Sequence, residues 1–250
     1  MREQAEQNKR AWEYRAYEAR VSGREVSSTA KEILENPESC LRYHAKYFSN
    51  IRGKRAASIC GSDGRRAVAF VVLGADATVF DISEPQMKYA LELAEAAGVK
   101  IEYVLGDFCE TDTEKYGDMF DFVYLEGGIL HYFSEIDEFT KMLYAITKPN
   151  GRLILSDVHP YRKINGNAAE HTGGDYFDSR LYNAGAPLRN SFPVEEQEAF
   201  PKISLRYYTI SEIINSVIAS GFILKEFIEH PHWEDSKRPV EFTIIADKVY

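Results

Sequence analysis

From Arg55 onward, short apolar runs alternate with helix-length segments, and the runs end in small or acidic residues. Residues 56–60 run into Gly61-Ser62-Asp63-Gly64, and residues 77–80 end at Asp81. Residues 101–105 lead to Gly106-Asp107-Phe108, and residues 120–125 to Glu126-Gly127-Gly128. A fifth run, 152–156, follows the turn Pro149-Asn150-Gly151. Between the runs lie helical patterns. Ala67, Phe70, Val71 and Leu73 form one apolar face, stopped by Gly74. Met87, Leu91 and Ala94 form another within 84–97, stopped by Gly98. Phe139, Met142, Leu143 and Ile146 mark a third. Such alternation dictates βαβ units, right-handed crossovers and a parallel sheet. Residues 222–227 and 240–246 add two closing strands after a helix over Ile210, Ile213, Ile214, Val217 and Ile218.

Two regions stand outside this rhythm. Residues 1–26 mix good helix formers with Trp12, Tyr14 and Tyr17, and 28–49 read as two short helices broken at Asn36-Pro37. Residues 158–208 are rich in aromatics amid Gly, Asn and Pro, the signature of a lid or insertion. The expected organisation is a helical cap at 1–54, a cofactor-binding core at 55–157, an aromatic lid at 158–208, and a closing segment at 209–250. The fold class is α/β: a doubly wound, mostly parallel, seven-stranded Rossmann-like sheet with an antiparallel last strand.

Composition narrows the partners. With 44% hydrophobic and 28% charged residues, wholesale disorder is excluded. A net charge of −9, without a dense Lys/Arg run, argues against nucleic-acid phosphates and anionic membranes. Cys40, Cys60 and Cys109 are too scattered for a disulfide framework or zinc module, and no metal site is expected. The first thirty residues lack the apolar core of a signal peptide, and no apolar run is long enough to span a bilayer. A soluble cytoplasmic protein is the expectation; nothing in the chain speaks to oligomeric state.

In a doubly wound sheet the ligand sits beyond the carboxyl ends of the strands. A tight turn lets backbone approach it, and an acid ending the second strand suits ribose hydroxyls. An acid and an aromatic after the third strand suit an adenine. Read in order, these positions describe a nucleoside pocket. Each has a plainer alternative: Asp81 can cap the next helix, Met87 can be a core side chain, and Cys60 a small buried residue.

At these positions the chain resembles the class I S-adenosylmethionine-dependent methyltransferases, of the kind acting on small molecules. The resemblance spans residues 55–246. It rests on Ser58-Ile59-Cys60-Gly61-Ser62-Asp63-Gly64-Arg65, Leu73-Gly74-Ala75, Val79-Phe80-Asp81-Ile82-Ser83, Gly106-Asp107-Phe108, Phe120-Asp121-Phe122-Val123 and Lys148-Pro149-Asn150-Gly151-Arg152. Tyr207-Tyr208-Thr209 and Ala219-Ser220-Gly221-Phe222 also match. It implies S-adenosylmethionine as cofactor, S-adenosylhomocysteine as product, and a small-molecule methyl acceptor. Cys60, Gly61 and Ser62 would line the methionine portion, and Asp81 would take the ribose. Ile82 and Met87 would pack on adenine, Asp107 and Phe108 would flank it, and Glu126 and Gly127 would sit near the sulfonium. The first motif departs from the family: Ser58 stands at its acid position, Cys60 at the first glycine and Ser62 at the middle one. The contact to the cofactor's amino group therefore needs another source, either backbone of the turn or the N-terminal cap.

Methyl transfer to oxygen or nitrogen can use a general base, most often histidine. His131, after the fourth strand, and His159, after the fifth, are the catalytic candidates. Tyr14, Tyr132, Tyr161 and Tyr207 are the candidates for facing the acceptor, which the acidic chain and aromatic lid suggest is neutral or cationic. Three other readings compete. One is a noncatalytic S-adenosylmethionine-binding regulator. Another is a nicotinamide-dependent oxidoreductase, although G-x-G-x-x-G is missing around Gly61. The last is a nucleic-acid methyltransferase, against which Glu126-Gly127-Gly128-Ile129 stands where an Asn/Asp-Pro-Pro-aromatic motif is expected.

Overall fold

A computed structural model describes residues 3–165 and 168–249; residues 1–2 of the expected cap, 166–167 of the lid and 250 of the closing segment lie outside the described residues. The chain begins with α1 (Glu3–Glu13), α2 (Ala16–Ser22), α3 (Val26–Glu35) and a 3-10 winding over Pro37–Phe48. Arg15, in a left-handed conformation, separates α1 from α2, so the helix formers of residues 1–26 make two helices. The break at Asn36-Pro37 is present, and the Asn36 side chain caps the winding by accepting from the Ser39 N–H.

The core alternates β1 (Arg55–Ile59), α4 (Arg65–Val72), β2 (Asp76–Asp81), α5 (Glu84–Ala96), β3 (Glu102–Leu105), α6 (Thr113–Tyr116), β4 (Phe120–Glu126), α7 (Ile136–Ile146) and β5 (Thr147–Val158). Within 158–208, the segment expected to form a lid, the chain has α8 (Ala169–Thr172) and an antiparallel hairpin of β6 (Leu181–Gly185) and β7 (Lys202–Arg206). The chain closes with α9 (Ile210–Ala219), β8 (Ile223–Pro231) and β9 (Pro239–Asp247). The sheet is seven-stranded in the order β3-β2-β1-β4-β5-β9-β8. β1 to β5 pair in parallel, and β9 runs antiparallel to both β5 and β8.

Both faces of the sheet are covered, which is why its strands read as continuous apolar runs. Ala57, Ile59, Val123 and Leu125 face α7 and α9, packing with Phe139, Leu143 and Val217. Ala56, Tyr124 and Ile154 face the other way, onto Phe70 of α4 and Phe48 of the 3-10 winding. Full burial of a side chain such as Phe139 contributes roughly 1.5–3 kcal/mol. A capping box starts α9: Thr209 accepts from the Glu212 N–H, and the Glu212 carboxylate accepts from the Thr209 N–H.

Two local expectations change. The Pro149-Asn150-Gly151 turn lies inside β5, where the register to β4 jumps from Phe120↔Thr147 to Phe122↔Arg152. On α5 the buried stripe is Gln86, Tyr89, Ala90, Leu93 and Ala94, whereas Leu91 is exposed. The helix is rotated because α2 and α3 of the cap pack against it as well. Among the described residues, no helix is long and apolar enough to cross a membrane.

Candidate active site

Strand order switches direction between β1 and β4, so the loops at their carboxyl ends diverge and leave a crevice. A cavity of about 320 Å³ occupies it. Its floor comes from strand ends: Cys60 and Ser62 after β1, Asp81 and Ile82 at β2, Asp107 and Phe108 after β3, and Glu126 and Gly127 at β4. α1 roofs it with Gln4, Ala5, Asn8 and Trp12, and the loop after β4 walls it with Ile129, Tyr132, Phe133 and Ser134.

The turn after β1 is built around backbone constraints. Cys60 and Ser62 both have φ of 48°, a left-handed conformation costing a non-glycine residue about 1–2 kcal/mol. Both positions thus keep glycine-like geometry with side chains added. Gly61 between them is constrained by space: a Cβ would lie 2.6 Å from Ser58 Oγ and 2.9 Å from Val79 Cγ1, so these side chains would have to shift. Ser58 is buried within β1 and is absent from the cavity lining.

Asp81 fixes this turn from the neighbouring strand. One carboxylate oxygen accepts from the Ser62 N–H at 2.9 Å and the other from the Ser83 N–H at 3.0 Å. Desolvation raises its pKa even against these N–H donors. Asp81 thus lines the cavity and ties the turn to the start of α5 without capping that helix, whose N-cap residue is Ser83. Asp107 is buried, accepts from the Cys109 N–H at 3.0 Å and lines the cavity beside Phe108.

Glu126 is the most heavily paired acid. Burial alone would raise its pKa, but His44, Arg66 and Tyr124 outweigh that and hold it well below the ordinary carboxylate range. Arg66 and Arg42 approach it at 3.1 and 3.2 Å, and the Tyr124 hydroxyl donates to it. Burial raises the pKa of the Cys60 thiol well above its usual value, with Asp81 adding to the effect, which makes it a poor nucleophile.

Among the polar residues around this cavity, the sequence did not point to Arg20, Arg66, Gln86 or Asn8, whereas Trp12 was one of the aromatic anchors it offered. Arg20, from α2, reaches over the turn to Ser62 Oγ at 2.9 Å, Gln86 Oε1 at 3.0 Å and Asp63 at 3.1 Å. Arg66 had a readable signal, because a cation in the first turn of a helix opposes the macrodipole and needs another reason to be there. Asn8 stitches α1 to β7 and to the loop after β4. Its amide donates to the carbonyls of Ser204 and Tyr132, and its oxygen accepts from the Ser204 N–H.

Several candidates lie elsewhere. His131 is not in the cavity wall. Its ring packs back over Gly128 and lines a separate small pocket with Asp157, Arg162 and Tyr207. Burial, with Arg162 nearby, lowers its pKa to about 3. His159 sits beyond the wall too, with Nε2 2.9 Å from the Glu229 carboxylate and Nδ1 accepting from the Tyr161 N–H. The expectation that both histidines share the cavity rim is corrected: the positive-φ pair Gly127-Gly128 turns the first inward, and β9 draws the second away by accepting the His159 N–H at Val240. Of the four tyrosines, Tyr132 lines the cavity, edge-on to Trp12 at 5.6 Å. Tyr14 packs on Phe200, Tyr207 lines the small pocket, and Tyr161 lines neither. Met87 and Gly61 are also absent from the lining; on α5 it is Gln86 that faces in.

Comparison with known proteins finds relatives of the same fold. Residues 57–151 match a family model described as a methyltransferase domain. An uncharacterized methyltransferase, YbaJ of Bacillus subtilis, is 25% identical over 196 residues, covering 73% of this chain and 71% of its own. Among solved structures, an S-adenosylmethionine-dependent methyltransferase described as putative, from Listeria monocytogenes, has a TM-score of 0.65 at 17% identity, covering 86% of this chain and 98% of its own. The magnesium protoporphyrin IX methyltransferase of Synechocystis PCC 6803, solved with bound SAH, has a TM-score of 0.63 at 14% identity, covering 98% and 100%.

Proposed function

We propose that this chain, which carries a methyltransferase domain at residues 57–151 on the class I S-adenosylmethionine-dependent methyltransferase fold, binds that cofactor in the cavity and moves its methyl group to an oxygen or nitrogen of a small organic metabolite. The observation that carries the reading is the convergence of Asp81, Asp107 and Glu126, from three strand ends, on one cavity beside the Ser62 turn.

The donor set fits the cofactor's chemistry part by part. Asp81 has lone pairs left for ribose hydroxyls after accepting two backbone N–H groups. Asp107 suits an exocyclic amine, and Ile82 and Phe108 offer apolar faces to a purine. The zwitterionic end needs both signs of charge. Arg20 and Arg66 suit its carboxylate, and Glu126 suits its ammonium, in place of the acid missing at Ser58. When bound, the cofactor supplies an electrophilic methyl on a sulfonium.

The acceptor side is formed by α1, the loop after β4 and Pro187. Among the described residues there, Tyr132 is the only titratable side chain, and burial raises its pKa. It stays protonated at neutral pH and donates or packs rather than abstracting a proton. Catalysis by this chain then consists of orientation and exclusion of water under the α1 roof, and orientation alone can supply several kcal/mol. His131 and His159 have no part in this reading. A neutral or cationic acceptor suits the Trp12–Tyr132 wall, and a cytoplasmic protein without nucleic-acid or membrane partners completes the proposal.

The test is incubation with methyl-labelled S-adenosylmethionine and a fractionated metabolite pool. Label in a small product whose unmethylated acceptor is neutral or cationic supports the proposal. Label confined to protein or nucleic acid, or found in a product whose acceptor is anionic, overturns the acceptor assignment.

A further inference from the structure

We infer that Asp157, at the end of β5 and outside the cavity wall, is a positioning residue for this site: its carboxylate holds the loop after β4 in the shape that forms the cavity. The inference rests on the function proposed above. That loop contributes Gly127, Gly128, Ile129, Tyr132, Phe133 and Ser134 to the wall, more than any other segment. Its own conformational preferences are weak. Gly127 and Gly128 have φ of 104° and 80°, a region glycine enters freely and leaves as freely. The 3-10 turn that follows, Leu130–Tyr132, has no side-chain cap from its own N-cap residue, Ile129.

The missing cap comes from the adjacent strand. One Asp157 oxygen accepts from the Ile129 N–H at 2.7 Å and the Leu130 N–H at 2.8 Å. The other accepts from the Val158 N–H at 2.6 Å. Asp157 is 4% exposed, so these N–H groups have no solvent to fall back on if the carboxylate is removed. A buried carboxylate is a costly way to satisfy three amides. Its use here is explained by what it orients: Ile129 faces the cavity, Leu130 is anchored in the core, and Tyr132 lies one turn further on. A displacement at 129–130 therefore transfers directly to the Tyr132 wall.

Amide exchange and S-adenosylhomocysteine titration on wild type, Asp157→Ala and Asp157→Asn test this. In Asp157→Ala, exchange at Ile129 and Leu130 should speed by roughly 100-fold while Ala57 and Val123 in the sheet stay protected, and affinity should fall roughly tenfold. Asp157→Asn keeps a carbonyl oxygen able to accept both N–H groups, so it should recover much of the protection and the affinity. Three results overturn the inference: unchanged exchange at 129–130 in the alanine variant, protection lost evenly across the sheet, or equal affinity in all three proteins. Failure of wild type to bind S-adenosylhomocysteine overturns instead the methyl-transfer reading and the purpose assigned to Asp157, while the exchange data still judge the anchor.

Discussion

Lowering the pH below 6.5 should destabilise this protein through His131. The imidazole is packed over Gly128 beside Arg162, and its pKa is lowered from 6.5 to about 3. A group whose folded pKa is depressed binds its proton more readily unfolded. Stability from the neutral ring is therefore complete above pH 6.5 and is lost as pH falls toward 3. Each pH unit inside that window is worth up to about 1.4 kcal/mol. Between pH 6.5 and 5 the ceiling is thus about 2 kcal/mol, and the partial exposure of the ring brings the expectation nearer 1–1.5 kcal/mol. Asp157 acts in the opposite sense. Desolvation raises its pKa to about 6 despite the N–H groups it accepts, so the folded state gains protons between pH 6 and 3.8. A comparison with His131→Gln cancels that contribution. Urea unfolding of both proteins from pH 7.5 to 5 gives two stability curves. Their difference should shrink by about 1–1.5 kcal/mol across the window, because only wild type loses the neutral-imidazole term. A difference independent of pH would mean that the folded state does not keep the His131 imidazole neutral.

Other consequences are local. Gly61→Ala forces a Cβ against Ser58 and Val79 and should cost about 1–3 kcal/mol in urea unfolding. Glu126→Gln leaves Arg66 facing a neutral partner in a buried cluster. It should destabilise by about 3 kcal/mol, measured the same way, and remove a contribution that in wild type is present above pH 4.5 and lost below it. Thr209→Ala removes half of the capping box on α9; about 1 kcal/mol, or a Tm lower by roughly 2–4 °C, is expected in a thermal melt.

The sheet and the acids at its strand ends were legible because they are local: each needs only a short apolar run and the residue that stops it. Asp81, Asp107 and Glu126 line the cavity from the positions where the pattern put them. Side-chain direction was less legible. The α5 pattern favoured Met87, but a helix packed by α2 and α3 as well as by the sheet buries a wider arc, and Gln86 turns inward. The histidines illustrate the same limit. Strand-end position placed His131 at the right rim, whereas two consecutive positive-φ glycines decide where its ring points. Arg20, Asn8 and Trp12 act on partners far along the chain, such as Ser204 for Asn8, and no local periodicity encodes that.

The central claim is that this cavity holds the methyl donor with Asp81 on its ribose. Isothermal titration with S-adenosylhomocysteine tests it most directly, using wild type and Asp81→Asn, each first shown to unfold cooperatively. Wild type should bind saturably, and the variant should bind with an affinity lower by roughly tenfold or more, the value of a charged hydrogen bond. No heat of binding at high micromolar ligand, or equal affinity in the two proteins, would contradict it.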